Sequence, residues 1–408
     1  MKEGDGRKFT VRNSGQKSIY RILTPILFLA GILFFTFLSR VVFSPLLVLI
    51  EEELHLSHAK SGSLFLLISI GFAPVMLGSG FVSQRLTHRG TILLSSITCG
   101  TAVLIIAFSH SLMGMQIGMV VLGMGSGLYF PSAMATMTRL VDPEHWGKAI
   151  SLHEAGPTMG YVLAPIVAEL GLSFTSWRGV LIIVGVGGLV MAATFALFGQ
   201  GGRFAGEPPR LGNVGRIFYQ PSFWVIAILM SLACGASVGV YAILPVYLIT
   251  EQGLEQGLVN TLVGLSRVSG LVAVFLAGWL ADSFGAKWVM GAIYAATAIL
   301  TGLMGLSQKI ILVIVVFLQP AVVAAFFPVG LLGLANVGPP RTRNVAVSLM
   351  IPFVYLFGAG IVPAGMGVMG EYYGFALGFL LMGGLLLVSL FLLLFMHHRP
   401  EPEPDPSG

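Results

Sequence analysis

Residues 278–287 of the chain read GWLADSFGAK, and residues 80–89 read GFVSQRLTHR. Each stretch begins with glycine at the end of an apolar run and finishes with a basic residue, and the two start 198 positions apart. Further pairs keep an offset of 197 or 198: Phe130-Pro131 with Phe327-Pro328, Pro143 with Pro340, residues 149–152 with 346–349, and Pro165 with Pro363. A constant offset over so many pairs predicts an internal repeat, and therefore two halves built alike.

The composition around this repeat is that of a membrane protein. Of 408 residues, 56% are hydrophobic and 10% are charged, whereas a soluble domain carries about 25% charged residues. Soluble, disordered, fibrous and disulfide-stapled classes are therefore excluded. Apolar runs long enough to cross a bilayer are predicted at 22–50, 61–84, 91–109, 112–138, 148–170, 177–199, 222–249, 258–280, 288–306, 309–335, 344–369 and 374–396.

Lysine and arginine residues indicate the orientation of these twelve spans. With both termini in the cytoplasm, the inner segments hold 17 of the 22 basic residues and the outer loops hold three. Cytoplasmic loops carry such an excess of positive charge, and six spans between the copies give both halves one orientation. We predict a cytoplasmic segment at 1–21, helix bundles at 22–199 and 222–396, a cytoplasmic linker at 200–221 and a disordered tail at 397–408.

The 278–287 stretch resembles the G-x-L-A-D-x-x-G-x-K/R loop signature of the major facilitator superfamily, and the likeness extends over all twelve spans. In the 80–89 copy, Gln84 stands where the family usually has aspartate. The resemblance implies an all-α membrane protein of two pseudo-symmetric six-helix bundles that transports by alternating access. The gating residues that it implies are Gly278, Asp282, Gly285 and Lys287 in the second copy and Arg85 and Arg89 in the first.

Three charged residues lie inside predicted spans. Arg40 is near the middle of the first span, Arg267 near the middle of the eighth, and Glu154 in the inner third of the fifth. A charge at the bilayer centre costs at least a few kcal/mol, so such residues are functional candidates by default. Their repeat-related positions 238, 69 and 351 hold Val, Ser and Ile. This asymmetry favours ligand chemistry over a structural need shared by both halves.

The two arginines predict an anion site. A guanidinium group binds a carboxylate, sulfonate or phosphate through paired hydrogen bonds, and organic-anion members of the resembled family similarly use an eighth-span arginine. We expect Arg40 and Arg267 to meet in one water-accessible hollow at mid-depth. The alternative is structural, with either arginine paired to Glu154 or to helix carbonyls. Uncharged substrate-binding candidates are Tyr129, Gln319 and Tyr355.

Glu154 is the predicted proton-coupling residue, because an apolar setting favours the neutral form of a carboxyl group. The alternative is a fixed salt bridge to Arg89 or Arg139. His153 is the second candidate, although neighbouring residues point about 100° apart around a helix. Residues 156–160, GPTMG, resemble the kernel of a fifth-span motif in proton-coupled antiporters, and a kink with close packing explains them equally well.

Other chemical signals are rejected on their context. Residues 235–239, GASVG, fit the G-x-S-x-G pattern but lie in an apolar span, where an esterase elbow cannot form. The glycine runs lack a preceding strand, so nucleotide binding is not expected. Glu51, Glu52 and Glu53, with His55 and His58, are predicted to form a solvated outer loop. We expect no enzyme activity, cofactor, metal ion or nucleic-acid partner.

The sequence therefore predicts a secondary carrier of a small organic anion, a monomer in the inner membrane of a bacterium. Proton coupling, symport and antiport all stay open. The alternative is a proton-driven multidrug or metabolite exporter, which the 156–160 kernel and the 18 Met and 28 Phe residues favour. Two arginines in one cavity would repel cationic drugs, so the anion carrier is preferred. A third reading is a receptor or scaffold that transports nothing.

Overall fold

The computed structural model describes residues 18–207, 217–334 and 340–395. The regular elements in these ranges are helical, and the described residues contain no β-strand. The α-helices are α1 (Ser18–Val41), α2 (Phe43–Leu54), α3 (His58–Phe108), α4 (Leu112–Leu140), α5 (Trp146–Leu172), α6 (Trp177–Phe198), α7 (Pro221–Cys234), α8 (Val240–Thr250), α9 (Gln256–Ser266), α10 (Ser269–Phe284), α11 (Ala286–Leu306), α12 (Lys309–Leu334), α13 (Pro340–Val354), α14 (Val362–Tyr372) and α15 (Phe375–Ser389).

Ten helical stretches among the described residues are long and apolar enough to cross a membrane. One of them, α3, has 51 residues, more than twice the roughly 20 that a bilayer needs. Thr87 interrupts it with non-helical angles, φ 64° and ψ 166°, at the boundary between the predicted second and third spans. The predicted eighth span is divided at Arg267 into α9 and α10 and is not among the ten. Twelve spans and cytoplasmic termini stay predictions.

Buried apolar side chains form three clusters. One lies within the N-terminal half and includes Phe195, and one lies within the C-terminal half and includes Phe326. The third contains residues of both halves, among them Val42 and Tyr241. Each half thus has a core of its own, and the two share a buried interface. The predicted domain boundaries at 22–199 and 222–396 are not tested by this packing.

Two predicted spans of the C-terminal half change to π-helix at mid-length. The segments are Gly235–Gly239, between α7 and α8, and Tyr355–Ile361, between α13 and α14. They pack directly on each other: a Cβ atom on Gly239 would lie 2.7 Å from the carbonyl oxygen of Gly358. Such close helix contact needs small residues. π-turns displace the regular hydrogen bonds and occur often at functional sites. This pair therefore makes the middle of the bundle the first place to look for a functional site.

The halves are joined at the end of the bundle that carries the turns after α2, α5, α8 and α14. Asn260 Nδ2 donates a hydrogen bond to Glu169 Oε2 at 2.9 Å, and the backbone N–H of His58 donates to Glu371 Oε2 at 2.8 Å. A Cβ atom on Gly62 would lie 2.6 Å from the carbonyl oxygen of Pro363 at the same end. This end of the interface between the halves is closed in the structure.

Candidate functional site

A small cavity lies between the two halves at the middle of the bundle. Its volume is about 40 Å³, which leaves room for about three water molecules. The wall combines one cation, a few hydroxyl groups and many apolar side chains. The lining residues are Phe37, Arg40, Val41, Ser44, Phe65, Ile68, Ser69 and Phe72 from the N-terminal half and Val238, Tyr241, Ala242, Tyr355 and Ala359 from the C-terminal half.

Arg40 supplies the cation of this cavity. Its guanidinium carbon lies 4.9 Å from the ring centroid of Phe37, 5.6 Å from that of Phe72 and 5.4 Å from that of Tyr355. The Nε atom is buried without a hydrogen-bond partner, and Arg40 forms no ion pair within the described part of the chain. Ring faces attract a cation but do not neutralise its charge. The guanidinium is therefore left with donors for an anion.

Arg267 lies behind the cavity wall rather than on it. Its guanidinium carbon is 4.8 Å from the ring centroids of both Tyr161 and Tyr241, and Nη2 donates to the carbonyl oxygen of Ser237 at 3.1 Å. The residue is only 8% exposed and does not line the cavity. The structure thus separates the two arginines that the sequence was expected to bring into one hollow. The ring of Tyr241 stands between Arg267 and the cavity.

The π-helical segment at 235–239 explains this displacement. Its Ser237 carbonyl accepts from Arg267, and its Ala236 carbonyl accepts from Gln319 Nε2 at 2.9 Å. A π-turn shifts the backbone hydrogen bonds by one residue, so these carbonyls are available to side chains. Gln319 is fully buried and also donates to Thr301 Oγ1 at 3.2 Å. It braces the segment that carries the cavity wall and does not itself line the cavity.

Glu154, His153 and Tyr129 form a hydrogen-bonded chain in the N-terminal half. Glu154 Oε1 lies 3.1 Å from His153 Nδ1, and His153 Nε2 lies 3.0 Å from the Tyr129 hydroxyl. That hydroxyl lies 2.6 Å from the carbonyl oxygen of Leu29. His153 is fully buried, whereas the Glu154 side chain is 46% exposed. Helical spacing led us to expect the two side chains to diverge, but the long glutamate side chain folds back to reach the imidazole.

The distances indicate which atoms donate in the hydrogen bonds that join Glu154, His153, Tyr129 and Leu29. A 2.6 Å contact between two oxygen atoms requires a proton between them, and the Tyr129 hydroxyl has only one to donate. Tyr129 therefore donates to Leu29 and accepts from the Nε2–H group of His153. The remaining nitrogen, Nδ1, faces the carboxyl group of Glu154, and a hydrogen bond there needs a further proton on one of the two. Glu154 and His153 can thus share a single proton.

The predicted alternative partners of Glu154 are engaged elsewhere. Arg89 Nη2 donates to the carbonyl oxygens of Phe195 and Ala196, each at 3.0 Å, and so caps the C-terminus of α6. The guanidinium carbon of Arg139 lies 4.3 Å from the ring centroid of Phe204. Neither arginine forms a salt bridge with Glu154.

The other predicted gating residues lie along α3, α10 and α11. Arg85 is exposed near the Thr87 break, and Gly285 joins α10 to α11 with φ 85°, a backbone conformation that glycine adopts readily. Gly278 lies in α10, and Lys287 in the first turn of α11. The side chain of Asp282, also in α10, lies outside the described residues. A gating role for this set stays a prediction.

The Glu51–Glu53 run is not the solvated loop that the sequence predicted, because it forms the last turn of α2. Glu51 is 7% exposed and accepts hydrogen bonds from the Ser61 hydroxyl and from His58 Nδ1. Glu53 accepts from Arg178 Nη2 at 2.8 Å and from the indole of Trp177. Of the three carboxyl groups, two are therefore committed to helix packing. The described residues contain no cluster of three or more potential metal ligands.

Comparison with known proteins agrees with this architecture. The Major Facilitator Superfamily model matches residues 29–273 and 255–408. A probable sulfoacetate transporter of Cupriavidus necator is 24% identical over 165 residues, which are 40% of this chain and 38% of that protein. A hexuronate transporter of Bacillus subtilis is 23% identical over 349 residues, 82% of this chain and 76% of that protein. The chain thus spans well under half of the first relative.

A solved structure shows the same fold. A bacterial homologue of the human lysosomal transporter Spinster, in an inward-facing and occupied conformation, superposes with a TM-score of 0.77. The superposition covers 92% of this chain and 97% of that one, at 17% sequence identity. A likeness at this level of identity concerns the arrangement of helices alone.

Proposed function

The chain belongs to the major facilitator superfamily, and on that premise we propose that it is a secondary carrier of a small organic anion. It works by alternating access, as a monomer of twelve spans in the inner membrane of a bacterium. The observation that carries the proposal is the guanidinium of Arg40, which lines the cavity between the halves and has no carboxylate partner among the described residues. Arg40 is only partly buried, and an anionic cargo that displaces water from the cavity would provide the partner that its charge then needs.

The relatives support the choice of an anion. Two of the relatives are named for sulfoacetate and for hexuronate, and both compounds are organic anions. Arg40 holds the anionic group, while Arg267 adds positive potential from behind Tyr241. The hydrogen bonds between the halves lie at one end of the bundle, so the cavity opens to that side only when Asn260–Glu169 and His58–Glu371 separate.

Proton coupling belongs to the same proposal. Glu154 lies 3.1 Å from the buried His153 and its side chain is 46% exposed, so this pair is placed to pass a proton between water and the interior of the N-terminal half. The inside-negative potential opposes the entry of an anion. A proton carried with a monoanion cancels that charge, so the loaded carrier moves without working against the potential.

The 156–160 kernel, which was one reason to consider a proton-driven exporter, has a structural explanation. In the 156–160 kernel, a Cβ atom on Gly156 would lie 2.9 Å from the carbonyl oxygen of Ala30, and one on Gly160 would lie 2.9 Å from the ring of Phe37. The kernel therefore lets α5 pack closely on α1, which accounts for its glycines without antiport. A lipophilic cation would also meet the charge of Arg40.

The test is uptake of small carboxylates and sulfonates by proteoliposomes that contain the purified full chain. Arg40→Gln is expected to lower saturable uptake about a hundredfold, as the loss of a buried charge partner does. Lys60→Gln, which removes one exposed positive charge at the closed end, is the matched control and should transport normally. Normal uptake by Arg40→Gln, or flux of tetraphenylphosphonium with none of any acid, would overturn the proposal.

A further inference from the structure

The lining of the cavity also indicates the chemical character of the anion that it would hold once the halves separate and the cavity widens, because the closed cavity of about 40 Å³ is too small for an acid such as benzoate. Resting on the anion carriage proposed above, we infer that the cargo is a monoanion with an apolar body, such as a hydrophobic monocarboxylate. Dianions and polyhydroxylated acids are disfavoured. The inference follows from three properties of the wall: the number of charges, the number of free hydroxyl groups and the placement of the aromatic rings.

The wall carries a single ionisable cation and no carboxylate. Arg267 does not line the cavity, because its guanidinium lies against the rings of Tyr161 and Tyr241 and donates to the Ser237 carbonyl. One anionic group balances Arg40. A second anionic group on the same cargo would have no partner in the wall, and a buried charge without a partner is strongly unfavourable.

Two of the four hydroxyl groups of the wall are committed to the protein. The Ser44 hydroxyl donates to the carbonyl oxygen of Tyr241 at 2.6 Å, and the Tyr241 hydroxyl is directed to the carbonyl oxygen of Tyr161 at 3.4 Å. The ring of Tyr355 contacts the Arg40 guanidinium. The hydroxyl groups of Ser69 and Tyr355 are the ones left in the wall for a cargo. A sugar acid would bring several hydroxyl groups here, and each one left unpaired lowers affinity by about tenfold.

The rest of the wall is apolar and comes from both halves. The rings of Phe72 and Tyr355, one from each half, face each other with centroids 5.0 Å apart and planes tilted by 37°. Both also contact the Arg40 guanidinium. The two rings are in contact with each other, so nothing fits between them in the closed cavity. An apolar body joined to the carboxylate that Arg40 binds would lie against both rings once the cavity widens. Because the rings belong to different halves, such a body would contact both halves.

The experiment measures the binding of acids to the purified full chain, by thermal shift and by competition for uptake. The probes are benzoate and cyclohexanecarboxylate as apolar monoanions, glucuronate as a hydroxylated monoanion, and succinate as a dianion. Benzoate and cyclohexanecarboxylate are expected to bind at least tenfold more tightly than glucuronate and succinate. If glucuronate or succinate binds equally well, this inference fails while the anion proposal stands. If none of the acids binds, the anion proposal itself fails.

Variants of the wall test the role of the rings. Phe72→Asn places an amide beside Arg40 and is expected to lower the benzoate-to-glucuronate affinity ratio at least fivefold. Phe174→Asn makes the same change at an exposed position after α5 and should leave the ratio unchanged. Ile68→Thr, which replaces an ethyl group by a hydroxyl and changes the side-chain volume less, makes the wall more polar should Phe72→Asn not fold. An unchanged ratio in the folded variants would overturn the inference.

Discussion

Arg40 and Arg267 are the two arginines that the sequence places inside spans, and their surroundings are alike in most respects. Each guanidinium lies against a tyrosine ring of the opposite half, Tyr355 for Arg40 and Tyr161 for Arg267. Each has a buried Nε atom without a partner. They differ in one contact, since Arg267 donates to the Ser237 carbonyl and Arg40 faces the cavity. The difference shows that burial without a carboxylate is not sufficient to identify a cargo site.

The repeat locates the origin of this difference. An offset of 198 sets residues 235–239 opposite residues 37–41, which stay α-helical within α1. Of these two repeat-related segments, only residues 235–239 therefore offer carbonyl groups to a guanidinium. A half that keeps the regular helix leaves its arginine available, whereas the half with the π-segment binds its own arginine to the chain.

The largest effect that separates the two arginines is expected from Arg40→Gln and Arg267→Gln measured side by side. Arg40→Gln should lower anion affinity about a hundredfold and raise the Tm of the unliganded protein slightly, because it removes a partly buried charge whose Nε atom has no hydrogen-bond partner within the described residues. Arg267→Gln should lower affinity less than tenfold and lower the Tm, because the Ser237 carbonyl and two rings lose their contact. Binding and thermal unfolding of the purified variants check both signs. If both variants lose anion affinity equally, Arg40 is not the only arginine that holds the cargo, and the distinction between Arg40 and Arg267 fails.

A second, smaller effect concerns Glu154, the acid that is hydrogen-bonded to His153 in the N-terminal half. Glu154→Gln is expected to abolish the pH dependence of uptake and to lower proton-driven accumulation about tenfold, because the pair with His153 no longer exchanges a proton. Anion exchange at equal pH should continue, since Arg40 is unchanged. Proton-driven uptake and anion exchange, each measured between pH 5 and 8, show whether the variant has lost coupling and kept anion transport. A pH profile identical to that of the natural chain would contradict proton coupling at this site.

Of the substrate-binding residues that the sequence predicted, Arg40 and Tyr355 line the cavity, whereas Arg267, Tyr129 and Gln319 do not. The repeat adds a regularity that was not predicted: Arg40 and Val238 are equivalent under the offset of 198, as are Ser44 and Ala242, and all four line the cavity. The apolar runs were also placed closely: the run predicted at 112–138 is α4, Leu112–Leu140. These features follow from composition and periodicity, which fix where a helix forms and which of its positions share a face.

What the sequence did not provide depends on local breaks in the helices. The stretch around Arg267, GLSRVSGL, contains no proline, so the division into α9 and α10 had no evident signal. Of the rings that surround the arginines, Tyr355 was among the predicted residues, whereas Phe37, Phe72 and Tyr161 were missed. Phe37 stands three residues before Arg40, a spacing that places both on one helix face, and it could have been found. Tyr161 comes from the other half, and only tertiary packing brings it to Arg267.

A third prediction sharpens the comparison on the Arg267 side alone. Gln319→Leu removes the hydrogen bonds to the Ala236 carbonyl and to Thr301. Hydrogen bonds between membrane helices contribute about 0.6–2 kcal/mol, so the variant should unfold at a lower temperature by a few degrees. Anion affinity should change less than threefold, because Gln319 does not line the cavity. A loss of affinity without a loss of stability would place Gln319 in the cargo site instead.

The smallest effect is expected at Tyr241, whose ring contacts Arg267 and whose residue lines the cavity. Tyr241→Phe keeps the ring and removes only a hydroxyl that makes a long, 3.4 Å hydrogen bond, so affinity and Tm should stay within twofold and about one degree. Tyr241→Ala, in contrast, removes the ring that separates Arg267 from the cavity. The Arg267 guanidinium should then reach the cavity as a second cation, and the benzoate-to-succinate affinity ratio should fall. If the preference is unchanged in a folded Tyr241→Ala variant, the ring is not what keeps Arg267 from the cargo, and the Ser237 contact alone must hold that arginine away.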